Sequence, residues 1–491
     1  MISPAVKKIR KIVDQSLVMF LKAVCTIGVF FSALHCSAQT SFAGSWEGKL
    51  NIGTTIRLVF NIKDTTDNNL YSTMDSPDQA AMDIACSHTV AKEDSIFITT
   101  LGGRAKYSGK KIDGNYILGE FRQNGHKLTL DLKKTDKAIT LNRPQTPKPP
   151  FEYISEDVVY HNEPNNIQFG ATITIPHGAG PFPAVLMITG SGQQNRDEEL
   201  FGHRPFAVIA DYLTKKGYIV LRVDDRGIGK STGEFSGATS EDFKNDAIVS
   251  LNYLRSRKEV DQKKIGLMGH SEGGMIAPMI AVEDKGVDFL VLLAAPGVPC
   301  LQLNEEQLAA LFEKSGVKKE STDEYLELYE KMVKSSLKTD DKEEFRKQVN
   351  KEVTEWRAKT PSYVVLETTN ISDNRSQEKF VDGIVNKLSD PWYKYLISYN
   401  PQPTLRKLSC KVLALNGEKD IQVLPGSNLV GVKECLDKSH SPEHETLELK
   451  GLNHLFQSCK TCSFQEYAQL EETFSPTALA AISDWMDKNV K

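Results

Sequence analysis

The sequence predicts two folded regions of different class, a small all-β domain followed by a larger α/β domain that carries a helical insertion. Three observations carry this reading. Residues 40–143 alternate short β-rich runs with turn residues. From about residue 184 onward, near-continuous apolar runs alternate with helical stretches. The proline-rich segment Pro144–Pro150 separates the two textures. A length of 491 residues agrees, being too long for one ordinary domain. Hydrophobic residues at 40% and charged residues at 25% are ordinary globular values, which excludes a disordered, collagen-like or polytopic membrane chain. The balance of 60 Lys+Arg against 64 Asp+Glu gives a net charge of −4, unlike the basic surplus of a nucleic-acid binder.

The first element is a targeting segment. Lys7, Lys8, Arg10 and Lys11 precede the apolar run Ala23–Leu34, and Cys36-Ser37-Ala38 ends on a small residue. This basic, apolar, small-residue order is that of a secretory signal peptide over residues 1–38. The apolar run is about 12 residues, too short to span a bilayer as a helix. A buried core helix explains neither the basic start nor the polar continuation at Gln39. Lys22 sits awkwardly before the apolar run, so Met19 is an alternative start to Met1. Lipid attachment at Cys36 is disfavoured because His35 stands where a small residue is wanted. Losing five cations and one anion with the signal leaves a secreted or periplasmic chain of net charge −8, with no integral membrane segment. Six cysteines remain, in a compartment where disulfides persist. Cys459-Lys-Thr-Cys462 has redox or zinc spacing, but no second CxxC completes a metal site. A local disulfide and two free thiols are both open there.

Within residues 40–143, Trp46–Ile52, Thr55–Ile62, Ser95–Thr100, Tyr116–Phe121 and Lys127–Leu132 read as strands. Asp113-Gly114 and Asn124-Gly125 are hairpin signals. Short strands at this spacing suggest a small barrel or sandwich, and Gly44-Ser45-Trp46 resembles the opening of lipocalin-like domains. An accessory packing module is the preferred reading over a ligand binder. Residues 144–150 then form a stiff, extended linker.

In residues 151–491 the runs Ala184–Ile188, Tyr218–Val223, Lys264–Met268, Phe289–Leu293 and Lys411–Leu415 read as strands buried on both faces, hence a parallel sheet wrapped by helices such as Pro205–Lys216 and Ser240–Lys258. Between about residues 298 and 402 the pattern turns helical, as in Asn304–Ser315, Thr322–Ser336 and Lys342–Lys359. That insertion is too long for a simple crossover and reads as a cap. Its aromatic residues Trp356, Phe380, Trp392, Tyr393 and Tyr395 could line an apolar acyl site, but their helical spacing favours cap core.

The chemistry centres on Gly269-His270-Ser271-Glu272-Gly273-Gly274, a G-x-S-x-G that ends one strand and opens a helix over Met275–Val282. The sharp turn lifts the serine hydroxyl out of the sheet, and glycines relieve the crowding. A nucleophilic serine needs a base, and the base needs an orienting acid. Both are expected in loops after later strands, in the order Ser, Asp/Glu, His. Asp420 follows the strand Lys411–Leu415, with Glu418 as the fallback acid; His454 follows the strand Thr446–Leu449. The oxyanion left by attack on a carbonyl needs backbone N–H donors. The N–H of Glu272 is one candidate. Ser191, in the loop Thr189–Gln193, is the other, with Gly192 and Gln193 as neighbours that could take its place. Gly227-Ile-Gly229-Lys230-Ser231 imitates the tail of a phosphate loop, but Asp224 stands where its first glycine belongs, so no phosphate cradle is expected.

Taken together, Gly190-Ser-Gly192, Asp224-Asp-Arg226-Gly-Ile-Gly229-Lys-Ser231, Gly269–Gly274, Asp420 and His454 resemble α/β-hydrolases of the serine aminopeptidase S33-like group, including secreted bacterial carboxylesterases. The resemblance covers residues 151–491. It implies an α/β-hydrolase fold with a helical cap inserted after the sixth strand, a Ser-His-Asp triad, and no metal or organic cofactor. Thr189-Gly190 replaces the His-Gly that such enzymes often carry before the oxyanion donor. The expected activity is cleavage of a small-molecule carboxylic ester through an acyl-enzyme. A short-peptide substrate, cleaved by the same triad, is the first alternative. A non-catalytic binding protein on the same scaffold is the second, and the complete triad argues against it.

Overall fold

The computed structural model describes residues 41–51, 55–65, 69–79, 81–123, 125–136, 141–162 and 166–491. The signal-peptide segment 1–38 and Asn124 of one hairpin signal lie outside the described residues. The chain divides into two compact units at residue 140.

The first unit is a β-barrel. Its strands are β1 (Gly44–Asn51), β2 (Thr55–Asp64), β3 (Leu70–Ser76), β4 (Ala81–Lys92), β5 (Ser95–Thr100), β6 (Ala105–Lys111), β7 (Tyr116–Gln123), β8 (His126–Thr129) and β9 (Leu132–Thr135). They run in the order β6-β5-β4-β3-β2-β1-β9-β7-β8, and a further β6–β7 pairing closes eight of them into a ring. Closure satisfies the edge N–H and C=O groups that an open sheet leaves unpaired. Alternate residues point inward, so Trp46, Phe60, Tyr107 and Phe121 meet in one core, and the Trp46 indole donates to the Phe42 carbonyl at 2.7 Å.

Two features depart from the sequence pattern. The single strand expected over Lys127–Leu132 is split into β8 and β9. The Asp131 carboxylate accepts the Gly119 N–H at 3.0 Å, a bond that competes with the ladder, and the chain moves from pairing with β7 to pairing mainly with β1. Strands β3, β4 and β6 carry no clean apolar alternation. In β3 the buried positions include Ser72 and Asp75, satisfied by Thr89 Oγ1 at 2.6 Å and by the Asn61 amide at 2.7 Å.

The second unit is built on an eight-stranded sheet, β10 (Ile154–Asn162), β11 (Ile167–Ile175), β12 (Phe182–Ile188), β13 (Ile219–Val223), β14 (Val260–His270), β15 (Phe289–Leu293), β16 (Lys411–Gly417) and β17 (His444–Leu449). Its order is β10-β11-β13-β12-β14-β15-β16-β17. From β13 to β17 all neighbours are parallel, whereas β10–β11 and β11–β13 are antiparallel. The sheet is therefore mixed and not wholly parallel, because β10 and β11 form a hairpin with no helical crossover between them. Helices cover both faces, giving one core around Leu186, Leu221, Leu267 and Leu290 and another around Val185, Val220, Met268 and Val291.

The helical insertion follows β15, the sixth strand of this sheet, and precedes β16. Its helices Cys300–Lys314, Lys319–Ser336, Lys342–Arg357, Ser362–Thr369, Asn374–Leu388 and Pro391–Ser398 enclose a core of their own, centred on Tyr329, Met332, Phe345 and Val385. Trp356, Phe380 and Trp392 pack against that core and Tyr393 lies in it, while Tyr395 reaches Glu241 at 3.3 Å. No helix among the described residues is long and apolar enough to cross a membrane.

Candidate active site

Strand β14 delivers the central serine. Ser271 follows it directly, with φ 52° and ψ −114°, and the helix Glu272–Glu283 starts at the next residue. Such a conformation is costly for a residue with a side chain and persists only where its surroundings enforce it. Here the surroundings are backbone. A Cβ on Gly269 would lie 2.0 Å from the Gly273 carbonyl oxygen, and one on Gly273 would lie 2.2 Å from that of Ile188. Only glycines allow strand, turn and helix to approach this closely.

Asp420 and His454 come from the loops after β16 and β17. Asp420 Oδ2 meets His454 Nδ1 at 2.7 Å, with both side chains buried. Asp420 Oδ1 accepts the N–H groups of Gln422 at 2.7 Å and Val423 at 2.9 Å. The carboxylate is thus fixed from both ends while it holds Nδ1 of the imidazole. Glu418, the fallback acid, accepts the exposed Gly451 N–H at 2.9 Å instead. Ser271 and His454 line one cavity of about 1190 Å³ under the cap.

The loop after β12 completes the serine's surroundings. Ser191, Gly192 and Gln193 all line the same cavity. Glu272 sits at the first position of its helix, where backbone N–H groups lack intrahelical partners. The loop that carries Ser191 lies against the serine turn, since a Cβ on Gly190 would lie 3.3 Å from Ser271 Cβ and one on Gly273 would lie 2.6 Å from the Thr189 carbonyl oxygen. The Glu272 carboxylate is buried and accepts from Ser240 Oγ at 2.6 Å and from Trp392 Nε1 at 2.9 and 3.1 Å. Burial holds its pKa above the usual carboxylate range, against the pull of these donors. Trp392 and Tyr393 also line the cavity, so these two cap aromatics serve both the cap core and the wall facing Ser271. The cap further contributes Asn304, Gln307, Asn386 and Lys387 to that wall.

Several residues to which the sequence assigned no role hold this arrangement. Asp225 accepts from Thr189 Oγ1 at 2.8 Å and from the Gln194 N–H at 2.7 Å, pinning both ends of the Thr189–Gln194 loop. Burial pushes its carboxyl up to about 7. Glu198 Oε1 accepts the Gly190 N–H at 2.6 Å and faces His270 Nδ1 at 3.0 Å, and His270 Nε2 faces the His454 carbonyl at 3.0 Å. The acidic run Asp197-Glu198-Glu199 before a helix was the available signal for this partner.

The phosphate-loop imitation has its own explanation. Asp224 Oδ2 accepts the Lys230 N–H at 3.0 Å and the Arg196 guanidinium at 2.6 Å, and a Cβ on Gly229 would lie 2.2 Å from that oxygen. A carboxylate of the chain itself fills the space that a phosphate would need. Near the His454 loop, Cys459 and Cys462 are joined as a disulfide, which resolves the alternatives that spacing left open.

The model of the X-Pro dipeptidyl-peptidase (S15) family matches residues 165–430, more than half of the chain. The chain belongs to this family. The matched stretch includes Ser271 and Asp420 and stops before His454. Among curated proteins, the chain is 31% identical over 192 residues to Esterase EstD of Thermotoga maritima, covering 39% of this chain and 44% of that one. It is 32% identical over 135 residues to the putative hydrolase YtaP of Bacillus subtilis, covering 24% of this chain and 44% of that one. The matched part is thus less than half the length of either relative. Among solved structures, the esterase Pf2001 of Pyrococcus furiosus is 16% identical with a TM-score of 0.40, covering 70% of this chain and 94% of that one. Est1E of Butyrivibrio proteoclasticus, with ferulic acid bound, is 13% identical with a TM-score of 0.37, covering 66% and 97%. The α/β-hydrolase fold of this family member rests on its strand order, its serine turn and its cap insertion.

Proposed function

We propose that the protein is a serine hydrolase that cleaves small carboxylic esters through an acyl-enzyme. The observation that carries this reading is the buried Asp420–His454 pair opening on the same cavity as a serine held in a left-handed turn. Ser271 Oγ attacks the ester carbonyl and His454 Nε2 takes its proton. The imidazolium so formed is stabilised by Asp420 and returns the proton to the departing alcohol. The N–H groups of Glu272 and Ser191 stabilise the oxyanion, and each such donor contributes about 3 kcal/mol in the transition state. Water activated by His454 then releases the acid and frees Ser271. The similarity to EstD supports an ester over other acyl substrates. The signal-like segment 1–38 and the Cys459–Cys462 disulfide support an exported enzyme, since disulfides persist outside the reducing cytosol.

A peptidase using the same residues is the second reading, favoured by the description of the matching family. The two are separated by comparing short-chain nitrophenyl esters with aminoacyl nitroanilides. The ester reading expects faster turnover of the esters, and faster turnover of the anilides would replace it. A fluorophosphonate probe tests both, because it should label the wild type and leave Ser271→Ala unlabelled.

A further inference from the structure

We propose that Glu198 and His270 form a buried ion pair that positions the catalytic groups, with His270 held as a doubly protonated imidazolium. The inference rests on the serine-hydrolase reading above, in that the groups being positioned are those it names.

Hydrogen-bond bookkeeping carries the argument. His270 Nδ1 faces Glu198 Oε1 at 3.0 Å, and Nε2 faces the backbone carbonyl oxygen of His454 at 3.0 Å. With Glu198 ionised, its carboxylate oxygen and the carbonyl oxygen both accept, so each ring nitrogen donates. A neutral imidazole has one N–H and would leave a nitrogen lone pair against an oxygen lone pair. His270 and Glu198 are both buried, at 6% and 6% exposure, although each forms part of the cavity wall. The charge on the other side is equally specified. Glu198 Oε1 also accepts the Gly190 N–H at 2.6 Å, the short contact expected of an anionic oxygen.

The pair joins three segments that must keep register. Glu198 holds Gly190, whose neighbour Ser191 is the proposed oxyanion donor. His270 immediately precedes Ser271 and packs against His454 with ring centroids 4.7 Å apart. Its Nε2 holds the backbone of the residue that supplies the base. A Cβ on Gly190 would lie 3.1 Å from Glu198 Oε1 and 3.3 Å from Ser271 Cβ, so the space between loop and serine is already filled. Asp420 acts on His270 from beyond His454 and favours its charged form. The Glu198 charge acts across the oxyanion loop on Asp225 and disfavours ionisation of that carboxyl. Burial alone would depress the imidazole; the Glu198 carboxylate, the His454 carbonyl and Asp420 together outweigh it and hold His270 above its ordinary value.

Both residues are positioning residues, since neither needs to touch the substrate. The test uses full-length protein labelled with ¹⁵N-histidine between pH 6 and 8. One imidazole should show both ring N–H protons, and that signal should vanish in His270→Gln. Glu198→Gln keeps an acceptor for Gly190 but removes the charge. It should lose one of the two ring N–H signals and lower kcat by about tenfold to a hundredfold, less than the loss of an oxyanion donor itself, with KM little changed. A wild-type His270 carrying a single ring N–H would overturn the proposal, whether or not any variant folds. So would a Glu198→Gln protein that keeps both the doubly protonated ring and the wild-type kcat. Failure of the wild type to react with fluorophosphonate would count against the hydrolase reading alone and leave the spectroscopic result standing.

Discussion

The indole Nε1 of Trp392, on the last long cap segment, donates to both oxygens of the Glu272 carboxylate, at 2.9 and 3.1 Å. Glu272 is the residue after the proposed nucleophile, so a single side-chain contact ties the cap to the turn that carries the chemistry. Removing the donor while keeping an aromatic ring, as in Trp392→Phe, leaves a buried carboxylate short of one partner. Leaving such a group unsatisfied costs about 1–3 kcal/mol. A urea titration should show a loss of that size, together with a lower kcat/KM for nitrophenyl esters. An unchanged midpoint and unchanged kinetics would mean that the contact does not couple cap and turn.

Asp420 and Glu418 are two residues apart, yet only Asp420 reaches the imidazole. Asp420→Asn should lower kcat by about 10⁴-fold, because the amide cannot hold the imidazole in the tautomer with Nε2 free. Glu418→Gln should stay close to the wild type. Steady-state kinetics on one ester decides between them, and a large loss in Glu418→Gln would move the acid assignment.

The buried Asp225 carboxyl gives stability a pH dependence of known sign. Its pKa rises from 3.8 to about 7 on folding. The folded state therefore binds the proton more tightly, and this contribution is complete below about pH 4 and is lost as pH rises toward 7. Asp225→Asn should remove that slope. Denaturation midpoints of the two proteins compared from pH 5 to pH 8 should diverge in favour of the variant as pH rises; parallel curves would contradict the assignment.

Gly229 adopts φ +59° while wrapped around the Asp224 carboxylate. Gly229→Ala combines an unfavourable backbone conformation with a Cβ 2.2 Å from Asp224 Oδ2. A loss of stability of more than about 1 kcal/mol is expected, read by chemical denaturation. Added inorganic phosphate should leave the wild-type midpoint unmoved, since the carboxylate already occupies the loop.

Local chemistry explains why much of the site was legible along the chain. Gly269–Gly274 encodes a strand, a strained turn and a helix by its own steric requirements, and Asp420 follows a strand with a clear apolar run, whereas the strand before His454 alternates Leu447 and Leu449 with polar residues. Where local signals compete, the reading was less complete. Asp131 diverts the chain between β8 and β9 by taking a backbone N–H, and β10 and β11 turn an expected parallel sheet into a mixed one.

The sequence by itself determined the order of the domains, the serine turn, the loops that carry Asp420 and His454, and the helical character of the cap. Each of these depends on short-range patterning of apolar residues, glycines and turn formers. Only the tertiary structure decided which carboxylates are buried and what satisfies them. Glu198 lies 72 residues from His270 and Trp392 lies 120 from Glu272. Contacts of that range leave no periodic trace. They exist because a charge or a polar group removed from water must find its partner wherever the fold has brought one.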